Sequence, residues 1–263
     1  MVPEEYELFA RDLQERLSAD PRVLGLVAVG SMARQGSLPD RWSDHDFFVV
    51  VEPGTQESFR SNLDWVPRHD EIVLSFRETA HGVKAIFGDG HLIEFAVFDP
   101  DELALARINR YRALFDRERI GERLARVAEA TVAGTTPPSR EWLVGQFLTS
   151  LLVGTGRHFR GERLAGRHLV LAGALPHLVS LVTRRAAATE RERLDSLDPL
   201  RRFETVFPSL GRRLDEATGR ETPEAARALL DIALEELPGI FPPAAVAAIR
   251  PRLEPGTAAP PAR

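Results

Sequence analysis

The chain has 263 residues, enough for two modest domains or one large one, and its 43% hydrophobic and 28% charged residues are ordinary for a globular protein. It contains no cysteine, which excludes disulfides, zinc–thiolate sites and thiol nucleophiles. Residues 1–112 hold 20 acidic and 12 basic side chains, and an acidic half of this kind argues against bulk binding of nucleic acid. Because no apolar stretch reaches membrane-spanning length and the first residues lack a signal-peptide pattern, we predict a cytoplasmic protein without a membrane partner.

The first half of the chain combines one amphipathic helix with several short apolar runs. Apolar residues at helical spacing predict a helix over residues 4–17. Five further runs have the β-branched or alternating pattern of strands; they are residues 23–29, 46–51, 71–76, 82–87 and 91–98. Short helices are expected at residues 31–35, 56–63 and 99–107.

The character of the sequence changes after about Arg112. From there the chain is rich in Ala, Leu and Arg, and its helical pattern is interrupted by prolines and glycines, which predicts four to seven helices. The predicted fold class is therefore α+β, with a small mixed-sheet domain followed by an all-helical domain. We expect these domains to cover residues 1–112 and 113–254, with a disordered tail over residues 255–263.

Two short motifs in the first half carry the chemistry. Gly30-Ser31 ends the first predicted strand, where a glycine lets the backbone approach a ligand and a serine hydroxyl beside helical N–H groups holds phosphate oxygens. Asp44 and Asp46 open the second strand and, if extended, point to the same face. Two carboxylates so close repel each other unless a cation lies between them, and Mg²⁺ is the natural candidate.

Glu94 is the third carboxylate of the predicted site. It lies in the middle of an apolar strand, between Ile93 and Phe95, where burial of a charge is costly unless it is paired or bound to metal. If the strands at 44–51 and 91–98 are neighbours, Glu94 points at Asp44 and Asp46. It then either ligates the metal or accepts a proton from an attacking hydroxyl.

Gly30-Ser31, twelve intervening residues, Asp44-His-Asp46 and a carboxylate on a later strand resemble the pattern of the polymerase-β-like nucleotidyltransferase superfamily. The longer form, Gly30-Ser-Met-Ala-Arg34 with Trp42-Ser-Asp-His-Asp-Phe47, is most similar to the bacterial nucleotidyltransferases that modify aminoglycosides or lincosamides. The resemblance implies that Asp44 and Asp46 bind Mg²⁺, that Ser31 contacts nucleotide phosphate and that Glu94 is the candidate base.

The reaction implied by this resemblance moves a nucleoside monophosphate, AMP if the donor is ATP, from a nucleoside triphosphate to a hydroxyl of a small acceptor. Arg41 or Lys84, the only lysine in the chain, is expected to hold the leaving pyrophosphate by its charge. Two alternatives stay open. One is a nucleotidyltransferase of toxin–antitoxin type that modifies protein or RNA, and the other is a nucleotide-binding module without catalysis, which would require Glu94 to be misplaced.

Two further residues have open roles at this stage. His45 stands where the family usually has an apolar residue, so we expect it to be a partly exposed residue at the edge of a loop rather than a ligand. Glu162, in a polar stretch of the helical half, either meets a cationic or polyhydroxyl acceptor or caps a helix. The acceptor, the base of the nucleotide and the oligomeric state are not specified by these motifs.

Overall fold

The computed structural model describes residues 3–34, 39–133, 138–195 and 197–254, and it divides into two compact units, Met1–Thr135 and Thr136–Arg263. The first unit contains a mixed β-sheet with helices packed on it, and the second is helical. The predicted α+β class is confirmed. The predicted tail over residues 255–263 lies outside the described residues.

The sheet of the first unit has six strands, of which five were predicted. They are β1 (Val23–Val29), β2 (His45–Val51), β3 (Ile72–Arg77), β4 (Gly82–Phe87), β5 (Leu92–Phe98) and β6 (Tyr111–Asp116). Their order across the sheet is β3-β4-β5-β2-β1-β6. Strands β2 and β5 run parallel at the centre, and the other four neighbouring pairs are antiparallel.

Helices cover both faces of this sheet over part of its area. They are α1 (Pro3–Ala19), α2 (Gln56–Ser61) and α3 (Ile120–Ala133), with 3-10 turns at Gly30–Ala33, His69–Glu71 and Glu102–Leu105. The apolar stripe predicted for α1 is buried: Phe9 and Leu13 pack with Phe47 and Phe95 from the central strands. Each such fully buried side chain stabilises the fold by roughly 1.5–3 kcal/mol, so α1 is a firm part of the sheet unit.

The predicted domain boundary at residues 112 and 113 is wrong, because the compact units divide between residues 135 and 136. Strand β6, which starts at Tyr111, pairs along β1 and forms one edge of the sheet. Helix α3 then returns over the sheet, where Ile120 and Leu124 pack with Val27. Both elements belong to the sheet unit because their hydrogen bonds and apolar contacts are made there.

The second unit is built around the long helices α4 (Arg140–Phe159) and α5 (Arg163–Thr183, π-helical over Leu169–Ala174). Shorter helices follow; they are α6 (Ala188–Arg191), α7 (Phe203–Val206), α8 (Pro208–Thr218), α9 (Thr222–Glu236) and α10 (Pro243–Ile249), with a last 3-10 turn at Arg250–Leu253. Eight α-helices therefore follow residue 113 within the described residues. The prediction of four to seven is too low because α6 and α7 are single turns.

Within the part of the chain that the structure describes, one helix, α5, is long and apolar enough by length and composition to cross a membrane, so the prediction that no segment reaches that length is wrong. A third of its most apolar 18-residue stretch is buried inside the helical unit. Val170, Ala174 and Leu178 on this helix are fully buried in the unit's core with Leu148 of α4. The core helix of a globular protein passes the same test of length and composition.

Candidate functional site

A tight turn after β1 carries the first half of the predicted motif. The backbone of Gly30 has a φ of +54°, in the left-handed region that favours glycine. A Cβ at this position would overlap the carboxylate of Asp46 and lie 3.1 Å from its Cγ. Glycine is therefore favoured at residue 30 by the backbone conformation and required by the close approach of the turn to Asp46.

Asp46 and Glu94 lie side by side on one face of the sheet. The parallel pairing of β2 with β5 puts Asp46 opposite Glu94, at a strand spacing of about 4.8 Å. The prediction that these two strands are neighbours is confirmed. Asp44 comes directly before β2, and all three carboxylates are half-buried. We call the half-buried surface formed by Asp44, Asp46 and Glu94 the carboxylate face.

Lys84, on the neighbouring strand β4, borders the carboxylate face beside Glu94. It pairs with Glu94 across β4 and β5, and its Nζ lies 2.9 Å from Glu94 Oε1 and 2.8 Å from Glu78 Oε1. Hydrogen bonds to Glu78 and then Glu94 raise the pKa of the Lys84 ammonium above its usual value. The lysine expected to hold pyrophosphate is thus a bridge between two carboxylates in this structure.

Ser31, the predicted phosphate contact, is linked to Asp44 by hydrogen bonds. Its Oγ lies 3.3 Å from the Asp44 carbonyl oxygen and 3.2 Å from the hydroxyl of Tyr6 on α1. The Tyr6 hydroxyl itself donates to the Asp44 carbonyl at 3.0 Å. The two halves of the motif are therefore connected through one buried tyrosine.

His45 is fully buried, and the prediction that it is a partly exposed loop-edge residue is wrong. Its Nδ1 lies 2.8 Å from Nε2 of His91, and its Nε2 lies 3.0 Å from the backbone carbonyl oxygen of Tyr6. A carbonyl only accepts, so His45 Nε2 carries a hydrogen, its Nδ1 accepts, and His91 Nε2 donates. Strand alternation explains the burial, because side chains next to Asp46 in the sequence point to the opposite face.

Both histidines are held in the neutral form. Burial, and then the neighbouring His91, lower the pKa of His45 to about 3. Burial likewise lowers the pKa of His91 to about 4. Within the described residues, Nδ1 of His91 is buried without a hydrogen-bond partner. This pair therefore adds no charge behind the carboxylate face.

The remaining predicted residues lie apart from these contacts. Arg41 places its guanidinium over the ring of Trp42 in the same loop, 4.3 Å from the ring centroid. Glu162, in the helical unit, precedes α5 but makes no capping hydrogen bond with its side chain, and it pairs with Arg157 instead. The roles predicted for Arg41 in pyrophosphate binding and for Glu162 in acceptor binding stay predictions.

The donor set of the carboxylate face fits a hard divalent cation. Magnesium is usually bound through one or two carboxylates plus substrate phosphates, and Asp44 and Asp46 offer two carboxylates beside the Ser31 turn. Among the described residues no three His, Asp or Glu side chains converge as metal ligands, and the Glu94 carboxylate pairs with Lys84. Asp44 and Asp46 are thus the residues that fit a Mg²⁺ ion. Glu94, the predicted third ligand, could bind the ion only after breaking its ion pair with Lys84.

Two residues of the site were missed from the sequence. Tyr6 was assigned to the apolar stripe of α1, and nothing in that pattern signals what its hydroxyl contacts. His91 had a usable signal: the alternation that places Glu94 on the carboxylate face places His91, three residues earlier, on the buried face. The partner that it finds there, His45, is set by the pairing of β2 with β5.

No protein family model matches the chain, and no curated protein matches it. Among solved structures, it is similar to an aminoglycoside 6-adenyltransferase from Bacillus subtilis, at 12% identity and a TM-score of 0.34, covering 92% of this chain and 95% of the other. It is also similar to a nucleotidyltransferase-like protein from Exiguobacterium sibiricum, at 15% identity and a TM-score of 0.33, covering 88% and 75%.

A third similar structure is the CD-NTase CdnG from Bradyrhizobium diazoefficiens in complex with GTP, at 15% identity and a TM-score of 0.30, covering 95% of this chain and 94% of the other. At these identities and TM-scores the likeness assigns no function to this chain.

Proposed function

We propose that this chain is a Mg²⁺-dependent nucleotidyltransferase that moves a nucleoside monophosphate, AMP when ATP is the donor, to a hydroxyl of a small molecule. One observation carries the proposal. Asp46 lies in register with Glu94 on a half-buried sheet face, directly against the Gly30 turn that presents Ser31. The proposed metal ligands, the proposed hydrogen-bond donor to phosphate and the candidate base would therefore act within one small area.

The residues have separable roles in the proposed reaction. Asp44 and Asp46 would hold the ion, which neutralises charge on the triphosphate, and Ser31 would donate a hydrogen bond to a phosphate oxygen. The acceptor oxygen attacks the α-phosphorus and forms the new P–O bond, while the bond to the bridging oxygen breaks and pyrophosphate leaves with the electron pair. The proton of the acceptor hydroxyl goes to the carboxylate of Glu94.

For Lys84 we propose a different role from the pyrophosphate contact expected from sequence. Its ammonium pairs with Glu94 and is itself held by Glu78, so Lys84 would orient the proposed base. The position of Glu94 beside Asp46 also speaks against a nucleotide-binding module without catalysis, which would require this carboxylate to be misplaced. Aminoglycosides and lincosamides are the first acceptors to test because the motif is most similar to enzymes that modify them.

The test is release of pyrophosphate by the full chain with MgCl₂, each of the four common nucleoside triphosphates and a panel of aminoglycosides and lincosamides. We expect pyrophosphate with at least one donor and acceptor, and a product heavier by one nucleoside monophosphate. Release only when a protein is the acceptor would replace the small-molecule assignment with protein modification. No release and no nucleotide bound in any combination would contradict the proposal.

The matched substitution is Asp46→Asn, which keeps the shape of the side chain and removes its charge. We expect transfer to fall by roughly 100-fold or more, since the charge that holds the ion is lost. The circular dichroism spectrum and the midpoint of thermal unfolding of Asp46→Asn should stay close to those of the unmodified chain. Asp70→Asn, an exposed aspartate on the same unit, is the control and should retain full activity. Full activity in Asp46→Asn would contradict the metal assignment.

A further inference from the structure

Helix α1 lies outside both sequence motifs, yet its Tyr6 hydroxyl contacts both of them. Tyr6 is 3% exposed. Its Oη lies 3.2 Å from Ser31 Oγ in the turn and 3.0 Å from the carbonyl oxygen of Asp44, directly before β2. We propose that Tyr6 is a positioning residue that sets the distance between the phosphate-binding serine and the metal-binding aspartates. The inference rests on the proposed function and adds a residue to it.

The hydrogen-bond directions show why a hydroxyl is needed at this point. A backbone carbonyl only accepts, so the Tyr6 hydroxyl donates its single proton to Asp44 at the shorter of its two distances. The Ser31 hydroxyl has one proton too, and it faces both Tyr6 Oη and the Asp44 carbonyl. Because Tyr6 already satisfies Asp44, the Ser31 proton is available to a phosphate oxygen without leaving that carbonyl unpaired.

The Tyr6 ring is fixed from its other side by the buried histidines. It stacks on His45, with 3.7 Å between ring centroids, and its backbone carbonyl accepts the His45 Nε2 hydrogen. His45 is held in turn by His91 at 2.8 Å. Burial raises the pKa of the Tyr6 phenol, which therefore stays a protonated donor at physiological pH. The hydroxyl is thus aimed by a rigid support, as a positioning role requires.

Tyr6→Phe tests the inference because it keeps the stacked ring and removes only the hydroxyl. The Ser31 proton would then be the one left to satisfy the Asp44 carbonyl, in competition with a phosphate oxygen. We expect the KM for the nucleoside triphosphate to rise roughly three- to tenfold, as for one lost hydrogen bond, with kcat changed less than KM. A purely structural role would lower stability without this split between KM and kcat. Tyr111→Phe, the matched control, removes the other tyrosine hydroxyl, which donates to the Gly121 carbonyl, and should leave KM unchanged.

A double substitution tests whether Tyr6 acts through Ser31 or contacts the nucleotide directly. If Tyr6 acts through Ser31, Tyr6→Phe combined with Ser31→Ala should raise KM no further than Ser31→Ala alone. Additive effects of the two changes would overturn the inference. An unchanged KM in Tyr6→Phe, or an equal rise in Tyr111→Phe, would overturn it as well.

A second readout does not depend on Tyr6→Phe being folded. The chain has two tyrosines, so 3-fluorotyrosine incorporated into Tyr111→Phe labels Tyr6 alone. We expect its ¹⁹F resonance to shift when Mg²⁺ and ATP are added, and this shift to vanish in the added Ser31→Ala background. A wild-type chain that binds no nucleoside triphosphate overturns the proposed function and the inference together. A chain that binds nucleotide without moving the Tyr6 resonance overturns the inference alone.

Discussion

The two faces of the sheet at the starts of β2 and β5 are made by neighbouring residues and have opposite properties. His45 points to the buried face, where it is fully enclosed and bonded to His91 and Tyr6. Asp46, the next residue, points to the carboxylate face beside Glu94. One face is dry and held neutral, and the other is half-exposed and densely charged.

The difference teaches how a charged site is kept in place. Clustered carboxylates repel one another, so they do not hold their own backbone in position. On the other face His45 is anchored by short hydrogen bonds and stacked rings, and Tyr6, on which it stacks, hydrogen-bonds to the backbone carbonyl of Asp44. The buried face therefore supplies rigidity, and the carboxylate face supplies chemistry.

The largest effect is expected where the turn touches the carboxylate face. Gly30→Ala adds a methyl group that overlaps the Asp46 carboxylate and forces a non-glycine residue to a φ of +54°. Displacement of a metal ligand should lower nucleotidyl transfer by roughly 100-fold or more, beyond a strain cost of about 1–2 kcal/mol in stability. Pyrophosphate release and the denaturant midpoint measure the two quantities.

Gly54→Ala is the control for Gly30→Ala. Gly54 also has a positive φ, +85°, but a Cβ there would meet nothing within 4 Å. It should therefore show a comparable loss of stability and retain transfer activity. Equal activities in the two variants would mean that the approach of Gly30 to Asp46 has no functional consequence.

An intermediate effect is expected from pH acting on the buried face. The pKa values of His45 and His91 are lowered to about 3 and about 4, whereas histidines in an unfolded chain titrate near 6.5. Below pH 6.5 the unfolded chain therefore takes up protons that the folded chain does not. Stability contributed by the neutral pair is fully present above pH 6.5 and falls as the pH drops, by up to about 1.4 kcal/mol per pH unit for each histidine.

Denaturant titrations at pH 7.5 and pH 5.5 measure this change in the free energy of unfolding. His45→Gln, whose amide both donates and accepts, should flatten the dependence because one buried titrating group is gone. His69→Gln, at a histidine whose side chain is 41% exposed, should leave it unchanged. If His45→Gln keeps the full pH dependence, the buried pair is not its source.

The smallest effect is expected at the edge of the carboxylate face. Lys84→Met removes both ion pairs of a partly exposed lysine, and pairs of this kind contribute little, so transfer should change by less than about fivefold. Glu78→Gln is the matched control, since it removes one ion pair without touching Glu94. A 100-fold loss of transfer activity in Lys84→Met would instead support the phosphate contact expected from the sequence.

Much of the sheet unit follows from local sequence pattern. Apolar runs predicted β1, β2, β4 and β5 to within a residue or two, because buried central strands have little freedom in composition. The edge strand β6, which pairs along β1, was missed because Tyr111–Asp116 carries two charged residues among its six. The other edge strand, β3, was predicted because four of its six residues are apolar.

The site divides in the same way. The Gly30-Ser31 and Asp44-His-Asp46 motifs are contiguous in sequence, so the carboxylates were found. The contacts that support them join α1, β2 and β5 over 25 to 46 residues, and no local pattern reports such pairings. For this reason Tyr6 was predicted only as a core residue and His45 as a partly exposed one.

The most direct measurement is a crystal structure of the full chain with Mg²⁺ and a non-hydrolysable ATP analogue. We expect the ion to be ligated by Asp44 and Asp46, with the Ser31 hydroxyl on a phosphate oxygen and Glu94 facing the α-phosphorus. Triphosphate and ion bound away from these aspartates would contradict the assignment of the carboxylate face as the site of nucleotidyl transfer.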